Sequence, residues 1–155
     1  MLRISKLTDY GIVLLARFAA APRDAQLSAR EMAEASALPL PVVSKMLKEL
    51  ASAGLLESLR GAKGGYRLVR VPEAITVAEI VRALEGPIAL MECTAGPGHC
   101  EQEARCTVQE PWHRINRAVN DALSRVTLAD LARPLVAKPL LGIENSAAPA
   151  SHPNN

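Results

Sequence analysis

Apolar residues recur at helical spacing in the front part of the chain. Residues 7–20 predict a first helix that Pro22 ends. Ser28 and Glu31 have the spacing of a capping box, in which each side chain accepts a hydrogen bond from the other residue's backbone N–H. They predict a second, shorter helix through about Ala35. The apolar face of the first helix consists of Leu7, Gly11, Leu14, Leu15 and Phe18.

A third helix is predicted from Pro41, a residue suited to a first helical turn, to Ala53, just before Gly54. A short helix, a tight turn and a second helix with a small, basic outer face indicate a helix-turn-helix. The face of the third helix that should meet the core carries Val43, Met46, Leu47 and Leu50. The opposite face, which should meet solvent or a partner, carries Val42, Ser44, Lys45 and Lys48.

Two short apolar stretches around a glycine-rich turn follow the third helix. Residues 55–60 and 66–70 predict strands, and Gly61–Gly65 predicts the turn between them. A hairpin directly after a helix-turn-helix is a wing, and here its tip carries Arg60 and Lys63. The predicted fold class is therefore mainly α with a small β-hairpin, that is, a winged helix-turn-helix.

The rear half begins with another helix and ends in a tail rich in Pro, Ala and Asn. Thr76 and Glu79 predict the start of a helix that Gly86–Pro87 closes, and Thr127 predicts a last short helix that Pro134 ends. The predicted organisation is a DNA-binding domain at 1–86, a cysteine loop at 87–110, a dimerisation helix with the short helix at 111–134, and a disordered tail at 135–155.

A long helix is predicted to start at Pro111, after the cysteine loop. Its apolar positions are spaced alternately by three and four residues, as in the a/d seam of a coiled coil. So narrow a seam favours a dimerisation helix, and the alternative is a helix packed on the core of its own domain. The seam consists of Trp112, Ile115, Val119, Ala122 and Val126.

Composition is that of a folded, helical chain. Hydrophobic residues make up 49% and aromatic residues 3% of the 155 residues, so the core must consist mainly of aliphatic side chains. No apolar run is long enough to cross a bilayer, and no convincing cleavage site follows the first apolar stretch. We therefore expect a cytoplasmic protein without a membrane partner. No nucleophile–base pair or phosphate loop stands out, so neither an enzyme nor a small-molecule substrate is expected.

Charge is distributed unevenly along the chain. Residues 1–72 carry eleven Lys and Arg against six Asp and Glu, whereas residues 73–155 carry seven against ten. A basic front half indicates that this part meets a polyanion, and the alternative is a solvated surface that happens to be lopsided.

The three cysteines, Cys93, Cys100 and Cys106, lie within one loop, and their odd number disfavours a disulfide framework. Zinc sites usually pair cysteines two to four residues apart, whereas here six and then five residues separate them. Wider spacing allows each thiolate to reach a different iron, which favours an iron–sulfur cluster over zinc or unligated thiols. The candidates for a fourth ligand are His99, His113, Gln109, a glutamate of the loop, and Asp9.

The stretches MLRISKLTDYGIVLL, LRGAKGGYRL and TVAEIVRALEG, together with the three-cysteine loop, resemble the winged-helix regulator family of IscR and the nitric-oxide sensor NsrR, over roughly residues 1–134. Within this family the sequence most resembles the branch that regulates the SUF operon for iron–sulfur cluster assembly. The resemblance implies a homodimer with a crossing dimer helix and a cluster bound by the three cysteines. It also implies that Val42 and Ser44 read the major groove and that Arg60 enters the minor groove.

The sequence departs from the IscR branch around the cluster. Where that branch has a ligand histidine three residues after the last cysteine, this chain has Gln109, and the first cysteine gap is one residue longer. Asp9 matches the aspartate that completes the cluster from the partner subunit in the nitric-oxide sensor branch, so we expect it as the fourth ligand. Its alternative role is a carboxylate at a helix start. Three cysteines and a carboxylate favour [4Fe–4S], and [2Fe–2S] remains open.

The function predicted from these features is a DNA-binding repressor that senses iron–sulfur cluster, iron or redox status and controls genes for cluster assembly. A homodimer is expected to bind a palindromic operator in double-stranded DNA. The alternatives are an iron–sulfur carrier or scaffold, and a zinc- or thiol-based redox repressor. The residues expected to contact DNA are Val42, Ser44, Lys45, Lys48, Arg60 and Lys63.

Overall fold

Helices and one β-hairpin account for the regular structure of residues 4–61 and 64–133, which are the residues that this computed structural model describes. The predicted class, mainly α with a small hairpin, is confirmed. The prediction of a disordered tail at 135–155 lies outside the described residues. The elements are α1 (Lys6–Ala20), α2 (Ala29–Ser36), α3 (Leu40–Ser52), β1 (Leu56–Leu59), β2 (Gly65–Leu68), α4 (Val77–Glu85), α5 (Glu92–Ala95), α6 (Gln109–Ser124) and α7 (Leu128–Ala132), with short 3-10 turns at Pro72–Ala74 and Glu103–Arg105.

The main core is aliphatic and joins helices from both ends of the chain. The predicted core face of α3 is confirmed, since Val43, Met46, Leu47 and Leu50 are all buried. On α1 the prediction is wrong only for Leu7, which is 42% exposed, whereas the neighbouring Thr8 is buried. Leu128 of α7 is fully buried in this same core, and α7 packs on α1. The terminal helix therefore shares its core with the front segment.

A second, smaller core joins α4 to α6. Helix α4 contributes to both cores: one face packs on α1 and the main core, and another packs on α6. The buried members of the second core are Val77, Ala78, Val81 and Ile88, against which Val119 and Leu123 pack.

None of the helices in the described ranges combines the length and the apolar character that a bilayer-spanning segment requires.

Local hydrogen bonds fix the helix starts largely as predicted. The Glu31 N–H donates to Ser28 Oγ at 3.2 Å, and the Ser28 N–H donates to Glu31 Oε2 at 2.7 Å, which completes the capping box. These bonds, that of the Ser28 backbone above all, lower the pKa of Glu31. At α4 the box is incomplete, because the Glu79 N–H donates to Thr76 Oγ1 at 3.2 Å while the Glu79 carboxylate pairs with Arg70.

The wing is a two-stranded antiparallel hairpin that a third segment ties to the helices. Leu56 pairs with Leu68 and Leu59 with Gly65. The Leu27 N–H donates to the Tyr66 carbonyl at 3.0 Å, and the Tyr66 N–H donates back at 2.9 Å. Because Leu27 immediately precedes the cap of α2, the hairpin is held directly against the helix-turn-helix.

Helix α6 differs from its prediction at both ends. It begins two residues earlier, with Pro111 in its first turn, and it ends at Ser124. Val126 therefore lies beyond the helix, because its carbonyl accepts a hydrogen bond from the Val77 N–H at 2.9 Å. The predicted seam is wrong at this last position. Val119 packs on the second core, whereas Ile115 is 46% exposed, so only part of the seam is used within the chain.

Ala37, in the turn between α2 and α3, has a left-handed backbone with φ 55° and ψ 28°. A Cβ in this region costs about 1–2 kcal/mol, whereas glycine adopts it freely at an entropic cost of about 0.5–1 kcal/mol. Ala37 is exposed, so its methyl group contributes little packing. We expect Ala37→Gly to raise the free energy of unfolding by about 0.5–1 kcal/mol, measured by urea denaturation. Ala35→Gly, within α2, is the control and should lower it.

Candidate DNA interface and metal centre

The outer face of α3 presents cations to solvent. Lys45 and Lys48 are exposed, and Ser44 is half-buried between them and the core. Lys45 Nζ lies 3.8 Å from Glu49 Oε1 one turn later, and both side chains are well solvated. An exposed ion pair of this kind stabilises a protein by about 0–1 kcal/mol. Lys45 can therefore exchange Glu49 for a phosphate group with little loss of free energy. Helix α3 therefore offers two available positive charges along one line.

The apolar part of this face differs from the sequence-based picture. Val42 is only half-exposed, because its side chain packs partly against the main core. Leu40, which the sequence-based prediction left out, is the first residue of α3 and is 41% exposed. Helical spacing places Leu40 on the same stripe as Val43, Leu47 and Leu50, so periodicity alone gives no signal that it is exposed.

The wing adds a further exposed cation. Arg60 directly follows β1 and is exposed, next to Gly61 with φ +115°. Arg67, across the hairpin, is already paired with Glu57. Strand β1 packs against α3, so the wing and the outer face of α3 belong to one unit. Lys63 lies outside the described residues.

The cysteine loop contains more local structure than its glycines suggest. Cys93 lies on α5, is buried, and α5 packs against α6. Cys100 and Cys106 are half-buried, and all three thiols are free. The Gly98 N–H donates to Glu103 Oε2 at 2.7 Å, and the Glu103 N–H donates to the Cys100 carbonyl at 3.2 Å, which folds the middle of the loop back on itself.

The thiols suit an iron–sulfur cluster by their chemistry more than by their present positions. Within residues 4–61 and 64–133, no three His, Cys, Asp or Glu side chains are close enough together to hold a single metal ion. A cluster is larger than one ion, and each thiolate binds a different iron. Three free cysteines on one loop therefore supply the donor set of a cluster with one ligand missing.

The candidate fourth ligands lie in different places. Asp9 is exposed in the first turn of α1, beside an open cavity of about 720 Å³. His99 is exposed on the loop and close to Gly96, while Gln109 and His113 are half-buried at the start of α6. Glu103 is occupied by the Gly98 N–H. The other residues that line the cavity beside Asp9 are Ile4, Ser5, Lys6 and Ile12.

A hydrogen-bonded link joins the start of α1 to the root of the cysteine loop. Glu85, the last residue of α4, accepts from the Ser5 N–H at 2.8 Å and from the hydroxyl of Thr8, which is fully buried. The Ser5 side chain first, then Thr8 and the Ser5 backbone, lower the pKa of Glu85. The helix that carries Asp9 is thus fixed to the point at which the loop begins.

Comparison with known proteins gives a consistent family match. Residues 4–134 match the model of the Rrf2 family, which is described as iron-dependent transcriptional regulators. The HTH-type transcriptional regulator CymR of Bacillus subtilis is 35% identical over 131 residues, which cover 84% of this chain and 90% of CymR. The HTH-type transcriptional regulator NsrR of Bacillus licheniformis is 28% identical over 131 residues, covering 84% and 92%.

Solved structures of relatives have the same fold. CymR, titled the global cysteine regulator of B. subtilis, superposes with a TM-score of 0.67 at 36% identity, covering 85% of this chain and 97% of CymR. IscR of T. potens superposes with a TM-score of 0.63 at 28% identity, covering 84% and 85%. These relatives are transcriptional regulators, which confirms the expectation that the chain is not an enzyme.

Proposed function

The chain belongs to the Rrf2 family of winged-helix transcriptional regulators, and we propose that it is a repressor which senses iron–sulfur cluster, iron or redox status through a cluster on its cysteine loop. It is a DNA-binding regulator, as its relatives are. The observation that carries the proposal is the position of three free cysteines between α4, which packs on the winged helix, and α6. Its target genes would be those for cluster assembly, and it would act in the cytoplasm.

The surface that we assign to DNA combines α3 and the wing. Helix α3 would enter the major groove with Ser44 towards base edges and with Lys45 and Lys48 towards bases or phosphates. Val42 and the exposed Leu40 would supply apolar contact with thymine methyl groups. Arg60 and, beyond the described residues, Lys63 would contact the minor groove and the backbone.

A homodimer would form through α6. The partly exposed seam supports this, because Ile115 and Ala122 remain solvent-accessible on a helix of which no side chain in the described structure is fully buried. A two-fold dimer with one α3 in each subunit requires a palindromic operator with half-sites about one helical turn apart.

Cys93, Cys100 and Cys106 would hold the cluster, and Asp9 from a second copy of the chain would be the fourth ligand. The exposure of Asp9 in the first turn of α1 supports this assignment, since its carboxylate is accessible to a loop of another subunit. Three thiolates and one carboxylate favour [4Fe–4S] over [2Fe–2S]. When bound, such a cluster supplies a redox-active group that is sensitive to iron supply, oxygen and nitric oxide.

A thiol-based repressor is the second candidate function. The similarity to CymR favours it, because that protein is titled a global cysteine regulator. In this case Cys100 and Cys106, which are both half-buried and accessible, would be the reactive thiols. The relatives reported above are regulators, which favours either candidate over an iron–sulfur carrier.

Binding to one defined duplex should depend strongly on salt, because each neutralised phosphate releases counterions. We expect Lys45→Ala and Lys48→Ala each to reduce the slope of log affinity against log salt by about 1. Fluorescence anisotropy with a duplex selected from a random-sequence library measures this slope. Arg125→Ala, an exposed arginine that follows α6, is the matched control and should leave the slope unchanged. Equal affinity for the selected and a scrambled duplex would contradict specific DNA binding.

A further inference from the structure

Asn116 of α6 holds the segment that leads into the cysteine loop. The Leu90 N–H donates to Asn116 Oδ1 at 3.1 Å, and Asn116 Nδ2 donates to the Ile88 carbonyl at 3.1 Å. One side-chain amide thus bonds a backbone donor, the Leu90 N–H, and a backbone acceptor, the Ile88 carbonyl, of the same segment. Asn120 adds a longer bond of 3.4 Å to the same Ile88 carbonyl and donates to the Asn116 carbonyl at 3.1 Å.

The clamped segment is apolar as well as hydrogen-bonded. Ile88 is buried in the second core with Val81 of α4, and Val119 of α6 packs against it. Its side chain and its carbonyl are therefore both held, one by the core and the other by Asn116. Because a backbone group that loses its partner inside a packed contact is costly, this position tolerates few alternative arrangements.

Cys93 lies only three residues beyond Leu90, on the short helix α5. Met91 is the cap of α5, and the Thr94 hydroxyl donates to the Met91 carbonyl at 2.7 Å, so little slack remains between Leu90 and Cys93. Helix α5 also packs against α6. The position of the buried Cys93 thiol is therefore set by the contact of α6 with residues 88–90.

The same segment leads back to the DNA-binding unit. Helix α4 packs against α6 on one side and against α1 and α3 on the other. A displacement of Cys93 would therefore shift Ile88 and α4, and through α4 it would shift α3. Asn116 is the residue that joins the start of the loop to α6.

We propose that Asn116 is a positioning residue which fixes Cys93 and couples the state of the cysteine loop to operator affinity. The coupling part rests on the function proposed above, whereas the positioning part does not. The quantity that defines the coupling is the ratio of operator affinities of the cluster-bound and cluster-free dimers. Loss of the clamp should bring this ratio towards one without removing DNA binding itself.

The principal variant is Asn116→Leu, which keeps the approximate size of the side chain and removes both hydrogen bonds. Asn116→Asp is the second variant, since it keeps the acceptor for the Leu90 N–H and loses the donor to the Ile88 carbonyl. Asn120→Ala is the control, because Asn120 is a half-buried asparagine on the same helix that does not bond Leu90, and its loss leaves both shorter Asn116 bonds to Leu90 and Ile88 in place. Circular dichroism and thermal unfolding of each purified dimer establish that it is folded.

Two readouts test positioning in the cluster-free protein. Amide hydrogen exchange of a peptide spanning residues 86–95 should speed up by about tenfold or more in Asn116→Leu. Alkylation of Cys93 by a maleimide should accelerate relative to Cys100 and Cys106. Asn116→Asp should give an intermediate change, and Asn120→Ala should remain close to the wild type. Unchanged exchange and alkylation in both Asn116 variants would overturn the proposal.

The coupling is read from anisotropy titrations of anaerobic cluster-bound and chelator-treated dimers. In Asn116→Leu the affinity ratio should shrink by about threefold or more, and in Asn120→Ala it should be retained. Faster exchange with an unchanged ratio would overturn the coupling. A wild-type ratio of one would contradict the proposed function, and with it the coupling, while exchange and alkylation would still decide the positioning part. Should Asn116→Leu not fold, Asn116→Asp decides both parts.

Discussion

Replacing any one of Cys93, Cys100 and Cys106 with alanine should abolish the visible absorption of the anaerobically purified protein. The physical reason is the small number of donors: three thiolates and one weaker oxygen ligand leave none in reserve. Two thiolates on a loop of this length cannot satisfy the remaining irons, so the cluster should be lost rather than merely shifted in spectrum. Absorption spectra with iron and sulfide analysis measure the result. Thr107→Ala, next to Cys106 and exposed, is the control.

The fourth ligand should behave differently from the thiolates. Asp9→Ala should leave a cluster that forms but is lost faster in air, because the three thiolates still hold it. Gln109→Ala and His113→Ala should match the wild type if Asp9 is the ligand.

An unchanged spectrum in all three cysteine variants would contradict a cluster on this loop. Stoichiometric zinc in the wild type, or a spectrum without visible bands, would favour the zinc- or thiol-based repressor.

Arg60→Ala should weaken operator binding by about 1–3 kcal/mol, which is about 5- to 150-fold in affinity. Arg60 is exposed at the end of β1, in a hairpin that the Leu27–Tyr66 backbone pair ties to the helix-turn-helix. A guanidinium at such a tip suits the narrow minor groove, where the negative potential of the phosphates is concentrated. The fold should be unaffected, since the side chain is exposed to solvent.

Arg60→Lys is the matched variant for this prediction, and it separates charge from shape. It should recover the salt dependence but only part of the affinity, because an ammonium lacks the planar fork of a guanidinium. Affinities are measured by anisotropy at fixed salt on the selected duplex and on one with altered minor-groove sequence. If Arg60→Ala binds both duplexes as the wild type does, the wing is not part of the interface.

Features that depend on residues close together in the chain were predictable from the sequence. The Ser28–Glu31 box, the Thr76 cap and the core stripe of α3 each depend on residues within one or two helical turns, and the structure contains all three. Ala37 shows a local feature that the pattern did not reveal, because nothing in an alanine marks a left-handed backbone.

Features that depend on distant partners were not predictable. Nothing in the sequence distinguishes Asn116, yet it bonds Ile88 and Leu90, which are 28 and 26 residues away in the chain. Val126 fitted the heptad spacing, but its carbonyl pairs with Val77 and the helix stops before it. Pattern alone does not show which backbone groups meet across the fold, and these contacts determine where α6 ends and what it holds.

Anaerobic native mass spectrometry of the purified protein should detect a dimer with one iron–sulfur cluster on each cysteine loop. The mass of this dimer should exceed that of two 16.5 kDa chains by two iron–sulfur clusters. The Cys93→Ala, Cys100→Ala and Cys106→Ala variants should each give a dimer without that excess. Three other masses would contradict the cluster. They are the mass of two bare chains, that of two chains with two zinc ions, and that of two chains that have each lost two hydrogens to a disulfide. A monomer under these conditions would contradict the dimer.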